Sequence, residues 1–135
     1  KYELYSYNRI NEISGGYIFD LGNRKISVLD APGHSPGHMC FFENDVGYLF
    51  TGDNIYRGTI YVNYPSTDPA AYKRSIDKLF AYRSKISRLL PAHHDLNVNI
   101  DLLDEAKMLL RDLEKEDRLK HGTGRIAGRQ IAILL

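Results

Sequence analysis

The chain has 135 residues, 43% of them hydrophobic and 26% charged, with a formal net charge of +1 at pH 7. That is enough for one domain with a modest core and too little charge to draw in nucleic acid or an acidic membrane. No apolar run nears the roughly 20 residues that span a bilayer. The lone cysteine, Cys40, excludes an internal disulfide framework and points to a reducing cytoplasm.

Two short runs rich in Tyr, Ile, Phe and Val, at 16–21 and 25–30, flank Gly22 and Asn23 and predict a β-hairpin. A second pair, 38–43 and 46–51, is joined by Asn44 and Asp45, which suit a turn. Residues 55–65 hold Tyr56, Tyr61 and Tyr64 with no clean period, which reads as a loop. Asp68 before Pro69 marks a helix start, and Tyr72, Ile76, Leu79 and Phe80 then recur at helical spacing. A buried strand follows at 86–90. Asp101 is expected to cap a second helix with Leu102, Ala106, Leu109, Leu110 and Leu113 on one face, ended by Gly122 and Gly124. The tail 125–135 reads as one edge strand. The expected fold class is α/β (α+β): a single domain over 1–135 with its core at 15–113, built as one mixed sheet with helices on one face.

Three strand ends carry chemistry. In Asp30-Ala-Pro-Gly-His34-Ser-Pro-Gly-His38, Pro32, Gly33, Pro36 and Gly37 stiffen a loop that presents two imidazoles. In Phe50-Thr-Gly-Asp53 an apolar strand ends on a carboxylate. In Leu89-Leu-Pro-Ala-His93-His94-Asp95 another ends on imidazoles. Alone, each has a bland reading as a loop residue. In a single sheet the three ends could lie along one edge, where imidazole and carboxylate together suit zinc, or iron or manganese. Tyr56, Arg57, Tyr61 and Tyr64 follow Asp53 and either pack their loop onto the sheet or wall a pocket; Arg57 is the candidate there for an anionic group. Cys40 reads as buried core rather than a nucleophile. His121 reads as part of a frayed helix end. The basic tail residues Arg118, Lys120, Arg125 and Arg129 read as solubilising charge.

At these strand ends the sequence resembles the metallo-β-lactamase superfamily. Pro-Gly-His34-Ser-Pro-Gly-His38 resembles its third motif, Thr-Gly-Asp53 its fourth and Pro-Ala-His93 its fifth, over residues from about 15 to 113. The resemblance implies that His34 ligates one metal, His93 a second, and Asp53 bridges both. His38 and His94 would then stand behind the ligands, with Arg57 and Tyr61 meeting substrate. It implies two zinc ions sharing a hydroxide that attacks a thioester, lactone or other ester, as in glyoxalase II-like thioesterases, or a phosphodiester in the superfamily's nucleases. The fold implied is half of a four-layer αββα sandwich.

The superfamily's first motif, His-x-His-x-Asp-His, is absent, and the chain opens on Lys1 rather than Met. The expectation is therefore a C-terminal half, with two ligands per metal where a catalytic zinc typically takes three plus water. Such a piece is expected to bind metal weakly, to be inactive alone, and to cover its unpacked sheet face by forming a homo-oligomer. The expected partner in catalysis is a small-molecule substrate, not nucleic acid or membrane. The alternative reading is a non-catalytic binding or assembly domain that keeps relic metal motifs.

Overall fold

A computed structural model describes residues 10–135. Both predicted hairpins are present. β1 (Ile18–Asp20) and β2 (Lys25–Asp30) pair antiparallel, as do β3 (Met39–Glu43) and β4 (Tyr48–Gly52). β2 also pairs with β3, and β6 (Arg88–Pro91) joins β4 in parallel, giving a five-stranded mixed sheet ordered β1-β2-β3-β4-β6. Alternation along these strands sends Leu29, Cys40, Phe42, Leu49 and Leu89 into the core. Tyr48 and Phe50 stand on the opposite face and are exposed.

Residues 55–65 are not simply a loop. They contain β5 (Gly58–Tyr61), which pairs in parallel with β8 (Ile131–Leu134). The tail is likewise two strands: β7 (Arg125–Ala127) and β8 form an antiparallel hairpin, and β8 lies in the middle of a second, three-stranded sheet ordered β5-β8-β7. The single-sheet expectation is thereby corrected. Four residues of β5 are too few to show a period, and their partner lies more than 70 positions away.

α1 (Pro69–Phe80) starts as its sequence predicts, with the Asp68 carboxylate accepting from Ala71 N–H at 2.9 Å. α2 (Asp101–Lys115) differs at both ends. Its cap is Ile100, and Asp101 is instead the first helical residue. There it and Asp104 place negative charge at the positive end of the helix dipole. At the other end the helix stops at Lys115, ahead of Gly122 and Gly124, because Asp117 adopts a left-handed φ of 53°. Asp117 N–H then bonds Glu114 O, and Arg118 N–H bonds Leu113 O. This is a Schellman closure with Asp where Gly is usual.

α1 packs on α2, and α2 on β7 and β8. One hydrophobic cluster joins the inner face of the five-stranded sheet to Tyr72, Ile76 and Leu79 of α1, to the Leu-rich face of α2, and to Ile60 and Ile133 of the second sheet. The turn after α2 is also tethered: His121 Nε2 lies 3.0 Å from Thr67 Oγ1, so this residue is a strut to the loop before α1 and not a frayed end.

Candidate metal centre

The sheet brings the three motif loops to one edge. Parallel pairing of β4 and β6 sets Gly52 beside Pro91, and Ala92 N–H donates to Gly52 O, so Asp53 and His93 leave adjacent strands side by side. The β4–β6 register shifts between Phe50 and Gly52, and Gly52 sits at φ 54°. This bulge re-aims the chain so that Asp53 turns toward the imidazoles. A Cβ on Gly52 would fall 2.8 Å from His38 Nε2, so a side chain in this turn would push on that ring.

Asp53 Oδ1 is 3.0 Å from His93 Nε2, and Asp53 Oδ2 is 3.7 Å from His34 Nε2. Each carboxylate oxygen thus faces a different imidazole. His34 Nδ1 lies 2.9 Å from the Tyr61 carbonyl, which can only accept a hydrogen bond; the ring proton therefore sits on Nδ1 and the Nε2 lone pair is left toward Asp53. His38 does not join the set. Its Nε2 accepts the Asp53 backbone N–H at 3.2 Å. Its proton is then on Nδ1, a buried atom with no partner among the described residues. Burial, and then the neighbouring His34, push the His38 pKa down against the pull of Asp53, which keeps this ring a neutral acceptor. So the two imidazoles of the first loop, indistinguishable by residue type, divide into a ligand candidate and a prop.

The scaffold behind these groups rests on long-range contacts that the sequence did not mark. Asn54, fully buried, donates to Ala31 O at 2.8 Å, tying the Asp53 loop to the His34 loop. Tyr72, equally buried, donates to Asn54 O at 2.6 Å, and Thr51 to Ile55 O at 2.7 Å. Gly33, at φ 131°, lies so close that a Cβ there would overlap the Tyr72 backbone. No local signal marks these bonds of Asn54 and Tyr72, since the partners lie 18 to 23 residues apart.

The metal candidates open into a cavity of about 440 Å³ lined by His34, Asp53, Tyr56, Gly58, Thr59, Tyr61, Tyr64, His93 and His94. The three tyrosines are therefore pocket wall. Tyr56 stacks edge-on against His93, with ring centres 5.2 Å apart, and donates to Thr59 O at 2.6 Å. Burial and then the Asp53 charge push its phenol up to about 12, so it stays protonated. Tyr61 and Tyr64 form a tilted pair with centres 6.3 Å apart. His94, at a left-handed φ of 63°, also lines the cavity. Arg57 is not among the lining residues. Asp95 holds its guanidinium at 2.7 Å and Gln130 at 3.2 Å.

Among the described residues, no three His, Cys, Asp or Glu side chains close on one point tightly enough to hold an ion by themselves. The arrangement is instead two pairs, His34–Asp53 and His93–Asp53, that share one carboxylate. The donor atoms, imidazole nitrogens and carboxylate oxygens, are of the kind that zinc takes.

The metallo-beta-lactamase superfamily profile matches residues 1–93, more than half of the chain and all three motif loops. The chain belongs to the metallo-β-lactamase superfamily. Among curated members, it is 30% identical over 83 residues to the human acyl-coenzyme A thioesterase MBLAC2, a match covering 60% of this chain and 30% of that protein. It is 29% identical over 130 residues to the atrochrysone carboxyl ACP thioesterase AgnL7 of Paecilomyces divaricatus, covering 91% of this chain and 40% of that one. The chain thus spans less than half the length of these relatives. Among solved structures, the metallo-β-lactamase superfamily protein ST1585 of Sulfolobus tokodaii superposes with a TM-score of 0.59 at 26% identity, covering 73% of this chain and 38% of its own. ETHE1 of Myxococcus xanthus superposes at 0.63 and 16% identity, covering 80% and 49%. The α/β class read from the sequence is that of these superfamily members. No described helix is long and apolar enough to cross a membrane.

Proposed function

We propose that this chain supplies one side of the active centre of a metal-dependent hydrolase acting on a thioester of a small or carrier-bound acyl group. The observation that carries the reading is Asp53 set between His34 Nε2 and His93 Nε2, one imidazole per carboxylate oxygen. Zinc, or iron or manganese, would be held by His34, Asp53 and His93, and when bound supplies Lewis-acid activation of water and of the carbonyl under attack. Asp53 would stand between the two half-sites, one oxygen toward each imidazole. His38 fixes the Asp53 backbone, and Tyr61 O fixes His34. The wall of Tyr56, Tyr61, Tyr64 and His94 receives the acyl part and excludes water from it.

Thioester is preferred for two reasons. The relatives named above are thioesterases acting on coenzyme A and carrier-protein esters. Among the described residues, the lining also includes no Lys or Arg, which a phosphodiester would call for, and Arg57 is paired with Asp95. A lactonase or a glyoxalase II-like activity uses the same groups, and a relic binding domain would keep the fold without turnover. Because the described residues would offer each metal only two ligands, activity would require the remainder of the fold, and the isolated chain should hold zinc weakly. The exposed face carrying Tyr48 and Phe50 should drive self-association of the isolated chain. A reducing, cytoplasmic setting suits the single buried Cys40.

The test is an assay of the whole encoded protein, supplied with zinc, iron(II) or manganese(II), against an acyl thioester, a lactone and a phosphodiester. Thioester turnover lost on His34→Ala and His93→Ala is expected. Preference for the phosphodiester, or no turnover with any metal, overturns the reading.

A further inference from the structure

The imidazole that matters most for the first half-site is oriented by a strand pair, not by its own loop. His34 Nδ1 finds its acceptor in Tyr61 O, the last carbonyl of β5. Among the described residues β5 is an edge strand, whose strand partner is β8. The pairing runs from Gly58 opposite Ile131 to Tyr61 opposite Leu134. It is extended by Gly58 N–H donating to Gln130 O at 3.1 Å and Val62 N–H to Leu134 O at 2.8 Å. β8 is anchored in turn: Glu105 of α2 accepts from Gln130 N–H at 2.8 Å, and Ile131 and Ile133 are buried in the core.

We propose that the C-terminal strand β8 is a positioning element of the metal centre: by holding β5 it keeps the Tyr61 carbonyl on His34 Nδ1, which fixes the ring's tautomer and presents Nε2 to the Asp53 side of the cavity. The chain segment that does this lies about a hundred residues from His34 and contributes no ligand. His93 provides an internal contrast. Its Nε2 lies 3.0 Å from Asp53 Oδ1, a contact with a side-chain carboxylate and not with a carbonyl of β5. Tyr61 serves the site twice, through its carbonyl on His34 and its ring in the cavity wall, and the two roles are separable.

This deepens the proposed metal centre, but it is read in the metal-free chain and stands or falls apart from any thioester assay. The experiment is long-range proton–nitrogen correlation NMR of the histidine-labelled chain at about pH 8, where ordinary imidazoles are neutral. The expected wild-type result is an Nδ1–H signature for His34. Tyr61→Phe should leave it unchanged, because the carbonyl remains. Val62→Pro removes the N–H that donates to Leu134 O, and should move His34 toward a mixture of tautomers while circular dichroism still reports a folded chain. Ile133→Ala, which trims a buried β8 side chain, is read the same way should Val62→Pro not fold. An Nε2–H form of His34 in the wild type overturns the proposal. So does a folded β8 variant whose His34 spectrum matches wild type, or a Tyr61→Phe spectrum that does not.

Discussion

Asp53 offers its two oxygens to two imidazoles that reach it from different directions: Oδ1 stands 3.0 Å from His93 Nε2, while Oδ2 faces His34 at 3.7 Å. Replacing that carboxylate by an amide of the same shape separates charge from packing. Asp53→Asn should leave the fold intact and lower the zinc affinity of the chain by at least about tenfold. Competition against a zinc-sensitive dye reads the change. Unaltered affinity would mean that zinc, where it binds, sits elsewhere.

The bulge at Gly52 sets up that carboxylate. Gly52→Ala places a Cβ 2.8 Å from His38 Nε2 at a backbone φ of 54°. A left-handed conformation costs an L-residue about 1–2 kcal/mol. Urea unfolding should show a loss of at least that size, and the Asp53 amide resonance should shift as its bond to His38 is disturbed.

Tyr72 holds the site from behind. Tyr72→Phe keeps the ring but leaves the Asn54 carbonyl, buried with it, without its 2.6 Å donor. An unsatisfied buried acceptor costs about 1–3 kcal/mol. The expected result is a lowered urea midpoint with an unchanged slope, together with weaker zinc binding, since Asn54 is the link between the two ligand loops.

Between the helices, Lys73 lies 2.8 Å from Asp77 and 3.2 Å from Glu114, and Lys107 lies 3.5 Å from Asp77. Burial pushes the Asp77 pKa up, but the hydrogen bond and charge of Lys73 and the charge of Lys107 outweigh it, and the net shift is downward. A lowered folded-state pKa contributes stability that is present above the ordinary carboxylate value of about 3.9 and is lost as pH falls through the folded value. Asp77→Asn should therefore lower stability near neutrality and flatten the acid limb, the difference from wild type shrinking as pH falls below about 4. About 1 M salt should shrink the difference, because Asp77 is part-exposed and screened.

Cys40 tests the core. Burial pushes its thiol up to about 12, against the smaller opposing effects of Asn54 and Lys78. A thiol-specific reagent at pH 8 should fail to label the native chain and label it stoichiometrically in denaturant. Rapid native labelling would show that the five-stranded sheet opens.

Much of the five-stranded sheet could be read in the chain because hairpin turns and α1 announce themselves locally: Gly22 and Asn23, Asn44 and Asp45, then Asp68 before Pro69. The motif loops were legible for a related reason, since His34, Asp53 and His93 each stand where an apolar strand stops. The second sheet was not. β5 is short and has no period, and it becomes a strand only because β8 returns beside it. The end of α2 was misplaced because an aspartate, not a glycine, took the left-handed closing position.

What the sequence by itself determined is the inventory: which side chains could bind a metal, the strand ends that carry them, and the superfamily to which their order belongs. What only the tertiary structure decided is their division of labour. His34 and His38 are four residues apart and chemically identical, yet one turns its Nε2 to the Asp53 carboxylate and the other accepts the Asp53 amide. That choice depends on where the Tyr61 carbonyl and the Gly52 bulge come to rest, and both are set by strand pairings between residues distant in the chain. Local propensity carries no information about such pairings, because a backbone hydrogen bond is the same whichever residues bring it together.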